Sequence, residues 1–455
     1  MQPINIIKNS LVLIVSMVVL SCKVRQTTVK VVSSVDTTKA SHTAIPFYPL
    51  RTTADLNVLM NEIGDSRVVL LGEATHGTSE FYTWRAEISK RLIQEKGFDF
   101  IAVEGDWDDG YSINNFIQGP LEDSAAAVAM LKEFKRWPSW LWANYETASF
   151  VEWLNQYNQH KNNDDKISFY GLDVFSFWKP IVQQIPFIKD TAVLHAAKRV
   201  QKCFEPFAND ALDYMRTVNQ QARTSCEVQV SQLNKAVEKV TANRPLSDED
   251  FLLQQEAFLL TQGESYFRNM LRNKVNTWNT RENYIAATIK RLLDQNKNSK
   301  AIIWAHNTHV GDAHFADTHF SGKTTIGEIL QNQLGGDEVF IVGFSSYSGS
   351  FLASETWGGE PEKMEVPAAV PNSLEAMLHN DSAVNKIILT KDIKDNPIFK
   401  HWVINRAMGV VNYPWQLGTP VGSLIPQRYD AFIFIDHMTA IHPFVPVKIT
   451  VGKAK

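Results

Sequence analysis

Three cysteines in 455 residues exclude the disulfide-dense framework of small secreted domains. An excess of charge of one sign is also missing. Lys and Arg number 45 against 49 Asp and Glu, a net of −4, so there is no basic field for nucleic acid, and no run of Lys and Arg is long enough to track phosphates. No Gly-x-Ser-x-Gly elbow appears. The nearest approach, Gly343-Phe344-Ser345-Ser346-Tyr347, lacks the second glycine, so a serine nucleophile is not indicated. Neither Gly-x-x-x-x-Gly-Lys nor Gly-x-Gly-x-x-Gly after a strand is present, which disfavours nucleotide and dinucleotide cofactors. No repeat of 20 to 50 residues stands out.

What remains is a globular composition, 44% apolar and 21% charged, with length enough for a large core. The N-terminus stands apart. Lys8 precedes an apolar run from Leu11 to Leu20 that is too short to span a bilayer comfortably and ends at Ser21-Cys22. Residues 1–21 read as a signal peptide. Val19-Leu20-Ser21-Cys22 resembles a bacterial lipobox, so Cys22 is expected to carry lipid and to anchor the protein in the bacterial cell envelope. Residues 22–45, rich in Thr, Ser and Val, then read as a tether. In that compartment Cys203 and Cys226 either pair or remain two buried thiols.

From residue 46 to 450 short runs of Val, Ile and Phe alternate with helical stretches, the signature of an α/β domain with a mostly parallel sheet. Strands are expected at 68–72, 100–104, 167–171, 301–305, 339–344 and 431–435. Most are continuously apolar, so helices must cover both faces. Phe81, Trp84, Ile88 and Leu92 recur at helical spacing with Gly97 as a stop. Residues 180–298 hold almost no glycine and read as a large helical insertion flanking the C-terminal edge of the sheet, a possible lid. A smaller helical piece near 121–157 carries Trp137, Trp140, Trp142 and Trp153.

Ionisable residues gather where the strands end, the edge at which open α/β sheets bind ligands. The first strand runs into Gly72-Glu73-Ala74-Thr75-His76-Gly77, the second into Glu104-Gly105-Asp106-Trp107, the third into Gly171-Leu172-Asp173 and the fourth into His306-Asn307-Thr308-His309. Glu73 lies close enough to His76 to hold its tautomer and raise its basicity, so that His76 takes a proton from water. Glu104 is placed to orient that water. Arg85, two turns into the following helix, and His306 or His309 are candidates for stabilising an oxyanion. Trp107 and Asp173 are the candidates for contacting the substrate.

Gly72-Glu73-x-x-His76-Gly77 with Arg85 nine residues on, Glu104 before Gly105-Asp106, Trp304-Ala305-His306-Asn307-x-His309, and Asp430-Ala431-Phe432-Ile433-Phe434-Ile435-Asp436 closely resemble the erythromycin esterase family. The resemblance implies an α/β fold with a helical portion beside the cleft and His76 as a general base. It also implies a site completed by Glu73, Arg85, Glu104, His306 and His309, with no metal or other cofactor. The implied substrate is a small ester or lactone, with a role in antibiotic resistance among the expectations; the lipobox is not a feature of the known macrolide-inactivating members, no nucleic-acid partner is expected, and the membrane is met only through the lipid anchor at Cys22. Many members carry an Arg-Asp pair where this chain has Arg281-Glu282. Two other chemistries fit the same residues. Glu73, His76, Glu104, His306 and His309 would suffice as zinc ligands with one open position. The His and Tyr supply also suits a haem- or metal-binding envelope lipoprotein.

Overall fold

The computed structural model describes residues 44–449, apart from 208–209, 222, 243–245, 273 and 414–418. The expected signal peptide, Cys22 and nearly all of the tether lie outside the described residues.

The strands in chain order are β1 (Tyr48–Pro49), β2 (Val68–Leu71), β3 (Phe100–Asp106), β4 (Ser168–Asp173), β5 (Ala301–Trp304) and β6 (Val339–Ala353). They continue with β7 (Glu362–Glu365), β8 (Lys386–Leu389), β9 (Val403–Ala407), β10 (Thr419–Ser423), β11 (Ala431–Met438) and β12 (Lys448–Ile449). The main sheet runs β1-β8-β11-β6-β2-β5-β3-β4. From β11 to β4 every pairing is parallel, while β8 and β1 form an antiparallel edge. β7 and β12 hang from the extended end of β6, and β9 and β10 make a separate ribbon.

The continuous apolar runs explain this arrangement. Successive side chains point to opposite faces of a strand, and in β2 Val68 and Leu70 enter one core cluster while Val69 and Leu71 enter another. One cluster is closed by the helices Ser79–Lys96, Trp107–Gln118, Ser124–Leu131 and Tyr145–Asn158. The first of these stops where expected, at Gly97, whose φ of 69° suits glycine. The other cluster is closed by the insertion, whose main helices are Thr191–Phe204, Ala211–Asn219, Glu227–Thr241, Asp248–Asn269 and Lys274–Leu293. The insertion is thus a covering layer for one face of the sheet as well as a flank to its edge. Each Leu or Phe it buries contributes about 1.5–3 kcal/mol, and Cys203 is bonded to Cys226 within it, with the Cα atoms 5.9 Å apart. Among the described residues no helix is long and apolar enough to cross a membrane.

Candidate active site

β5 lies between β2 and β3 in the sheet. The helices that follow β2 and β3 pack on one face, whereas Ile326 and Leu330 of the helix following β5 pack on the other. Chains that leave neighbouring strands toward opposite faces open a crevice at the C-terminal edge. His76, after β2, and His306, after β5, meet there with ring centroids 4.9 Å apart.

Close backbone approach shapes the turn that carries His76. A Cβ on Gly72 would lie 2.1 Å from Asn307 Oδ1, and one on Gly77 would lie 1.9 Å from the Leu352 carbonyl oxygen, so only glycine lets the turn press against its neighbours. Between them the chain folds back until His76 Nδ1 is 2.8 Å from Glu73 Oε1. Arg85 Nη2 donates to Glu73 Oε2 at 2.7 Å. Burial pushes the Glu73 carboxyl up, but Arg85 and His76 outweigh it and hold the group below its ordinary value. An ionised carboxylate only accepts, so Nδ1 of His76 donates, and in the neutral ring Nε2 is left as a bare acceptor. Arg85 itself is 1% exposed, lies over the rings of Tyr82 and Trp304, and meets Glu73 through Nη2 while its Nε is buried without a partner. The contact that the structure gives Arg85 is with Glu73, behind the imidazole rather than in front of it.

His306 is in a different state. Its Nδ1 accepts the backbone N–H of Thr308 at 3.2 Å and lies 2.8 Å from Thr308 Oγ1. An amide can only donate, so in the neutral ring the proton sits on Nε2. That Nε2 is buried and has no partner. Burial, and then the neighbouring His76, push His306 down to about 3, which keeps it neutral at physiological pH.

Glu104 anchors the opposite side. Its Oε1 accepts from Arg281 Nη2 at 2.8 Å and lies 3.1 Å from His309 Nε2, and its Oε2 accepts the backbone N–H of His306 at 2.9 Å. His309 Nδ1 lies 2.6 Å from Glu282 Oε1, and the Trp278 ring stacks on the imidazole at 4.8 Å. Burial disfavours the His309 cation, as does Arg281, whose Nη1 lies 3.1 Å from the same Nε2, but Glu104 and Glu282 outweigh them and raise the group to about 9. Burial likewise opposes the Glu104 carboxylate, and His309 and Arg281 nevertheless hold it well below its ordinary value. The water-orienting role expected of Glu104 thus competes with three donors already in place.

Two further expectations change. Asp173 gives both oxygens to Arg281, at 2.9 and 2.7 Å, and is 3% exposed; it fixes Arg281 rather than facing a ligand. Trp107 is 3% exposed and stacks on Tyr170, so its ring is spent on packing. Trp140 is buried, Trp142 donates to the Glu104 carbonyl at 3.3 Å, and Trp137 pairs with the exposed Trp357.

The residues not singled out as site residues are Arg281, Glu282, Asn307 and Thr308. Asn307 clasps Phe344 through both backbone groups, at 2.6 and 3.2 Å, and so ties the end of β5 to β6. The adjacent Arg281-Glu282 pair in the last helix of the insertion was the available signal for the first two. Among the described residues, no group of three or more His, Cys, Asp or Glu side chains is arranged to hold a metal ion. The carboxylates of the cluster accept from Arg and His instead, so the zinc ligand set is not assembled.

A sequence model described as erythromycin esterase matches residues 93–438. An Escherichia coli protein named erythromycin esterase type II is 24% identical over 381 residues, spanning 77% of this chain and 88% of its own. In fold the chain is similar to a Bacillus cereus protein, at a TM-score of 0.74 and 19% identity over 88% of this chain and 97% of that one. It is also similar to a succinoglycan biosynthesis protein, at a TM-score of 0.69 and 20% identity over 87% of this chain and 95% of that one. A mutant erythromycin esterase in its open conformation aligns with a TM-score of 0.64 and 15% identity over 87% and 98% of the two chains.

Proposed function

The chain belongs to the erythromycin esterase family and is a carboxylic ester hydrolase, and from that premise we propose that it opens an ester or lactone, a macrolide among the candidates, with water activated by His76. The observation that carries this reading is the pairing of two differently held imidazoles, a bare Nε2 on His76 and an unpartnered Nε2–H on His306.

A water at the edge of the crevice gives its proton to His76 Nε2 as its oxygen bonds to the substrate carbonyl carbon. Glu73 stabilises the imidazolium formed. The carbonyl π electrons move to oxygen, and His306 Nε2–H donates to that oxyanion. When the tetrahedral intermediate collapses, the C–O bond to the alcohol breaks and the leaving oxygen takes the proton from His76, which regenerates the base. Base catalysis of this kind usually supplies about 10²- to 10⁴-fold, and one oxyanion donor about 10²- to 10³-fold.

Hydrolysis of aryl esters and of a macrolide lactone in ¹⁸O-labelled water tests the reading. One labelled oxygen is expected in the acid product. Failure to cleave any ester or lactone would overturn it. Loss of macrolide inhibition of sensitive cells that carry the gene is the corresponding test of a resistance role. For localisation, the proposal is lipid anchoring at Cys22, supported by the lipobox-like sequence. Cys22→Ala should leave the membrane fraction or stay unprocessed, and wild type found freely soluble would contradict it.

A further inference from the structure

Four arginines are buried among the described residues: Arg85, Arg281, Arg406 and Arg428. Three have acceptors. Arg85 pairs with Glu73, Arg281 with Asp173 and Glu104, and Arg428 reaches Ser423 Oγ at 2.5 Å and the Asn307 carbonyl at 3.2 Å. Arg406 differs. It is 5% exposed, its Nη1 is buried with no partner, and among the described residues no hydrogen bond or ion pair holds its side chain, whereas Arg85 and Arg428, each with a buried Nε lacking a partner, are held through their other nitrogens. Glu375, the carboxylate that acts on Arg406 electrostatically, turns its Oε1 instead to the Ser345 hydroxyl at 2.7 Å and the backbone N–H of Arg406 at 2.9 Å.

A guanidinium cannot shed its proton to escape this cost, and an isolated buried charge is expensive. Burial pulls Arg406 below its ordinary value, with Glu375 and Tyr347 only partly opposing; in the paired Arg136 and Arg281 burial is outweighed and the value rises. The segment that carries Arg406 also reaches the turn that bears His76. Met408, two residues on, donates its N–H to the Ala74 carbonyl at 2.7 Å and bridges to Thr75, the residue before His76. Ser345, which shares Glu375 with Arg406, follows the Phe344 that Asn307 clasps beside His306.

We propose that Arg406 anchors an oxyanion, a carboxylate or a phosphate, carried by the molecule that is hydrolysed. The planar fork of the guanidinium suits either group. Assignment of the anion to the substrate rests on the hydrolase reading; the binding of the anion does not.

Thermal melting of the purified protein, with ionic strength matched by chloride, tests the binding. Saturating succinate or inorganic phosphate should raise the wild-type transition by about 2 °C or more. The anion with the larger rise identifies the class. Arg406→Gln should lose the rise while melting no lower than wild type without anion, because a buried unpaired charge is gone. Arg406→Lys keeps the charge without the fork and should show a weakened rise. A wild type unmoved by either anion, or an Arg406→Gln protein that keeps the full rise, would overturn the proposal. Aryl acetate hydrolysis by wild type tests the hydrolase reading separately: activity without an anion response removes only the Arg406 site, and a response without activity removes only the hydrolase.

Discussion

The two sides of the cleft use the same three residue types to opposite effect. After β2, Glu73 stands between His76 and Arg85; after β3, Glu104 stands between His309 and Arg281. The difference lies at the second ring nitrogen. His76 meets a carboxylate only at Nδ1, whereas His309 is held by Glu282 at Nδ1 and Glu104 at Nε2, where Arg281 Nη1 also approaches to 3.1 Å. A histidine with one carboxylate keeps a nitrogen free to take a proton, and one with two becomes a fixed cation. Identity of residues therefore does not assign the base; occupancy of the second nitrogen does.

The largest effect should come from the free side. His76→Asn is expected to lower turnover by roughly 10²- to 10⁴-fold with little movement of the thermal transition, read by ester hydrolysis and melting. An active, folded His76→Asn enzyme would break the comparison at its first term.

The two sides were also unequally legible in the sequence. Glu73, His76 and Arg85 fall within thirteen residues, and a tight turn followed by a helix brings them together by local geometry. The opposite side is gathered from four segments. Arg281 and Glu282 arrive from the far end of the helical insertion, 177 residues after Glu104 in the case of Arg281, and no periodicity reports such a contact. Asp173 was visible as a strand-end carboxylate, but not the arginine that occupies it. The six strands read as apolar runs are all present, because burial on both faces leaves a continuous pattern. β8 escaped notice because Lys386-Ile387-Ile388-Leu389 offers only three apolar residues. The far half of β6 is polar, Ser345 to Ser350, and is held as strand by β11 and β7 instead.

On the clamped side the first loss should be stability. Glu282 has no exposed side-chain surface and accepts from His309 and from the backbone N–H of Ile326 at 3.1 Å. Glu282→Gln removes one carboxylate from a buried cation, a change that costs about 3–5 kcal/mol when a buried pair is broken. A marked drop in the melting temperature is expected. An unchanged transition would mean that His309 is not held as a cation.

The smallest effect concerns a carboxylate with neither imidazole nor guanidinium beside it. Among the described residues Glu256 has only Gln184 within hydrogen-bond reach, at 3.4 Å, and burial pushes it up to about 8. A carboxyl raised on folding stabilises most below its unfolded value and loses that contribution as pH rises toward 8. Glu256→Gln should therefore be nearly neutral at pH 4 and increasingly stabilising relative to wild type as pH rises from there to 9. Equal effects at both pH values would show that burial alone does not govern this group.

The most direct test of the account is ¹⁵N NMR of the histidine rings in the resting protein at pH 7.5. His309 should carry protons on both nitrogens and titrate near 9. Its raised value stabilises the fold fully below the unfolded value of about 6.5, and that contribution is lost as pH rises through 9. His306 should be neutral with its proton on Nε2, and the neutral ring of His76 should carry its proton on Nδ1. A neutral His309, or a His76 whose Nε2 is protonated in the neutral ring, would contradict the division of labour between the two sides of the cleft.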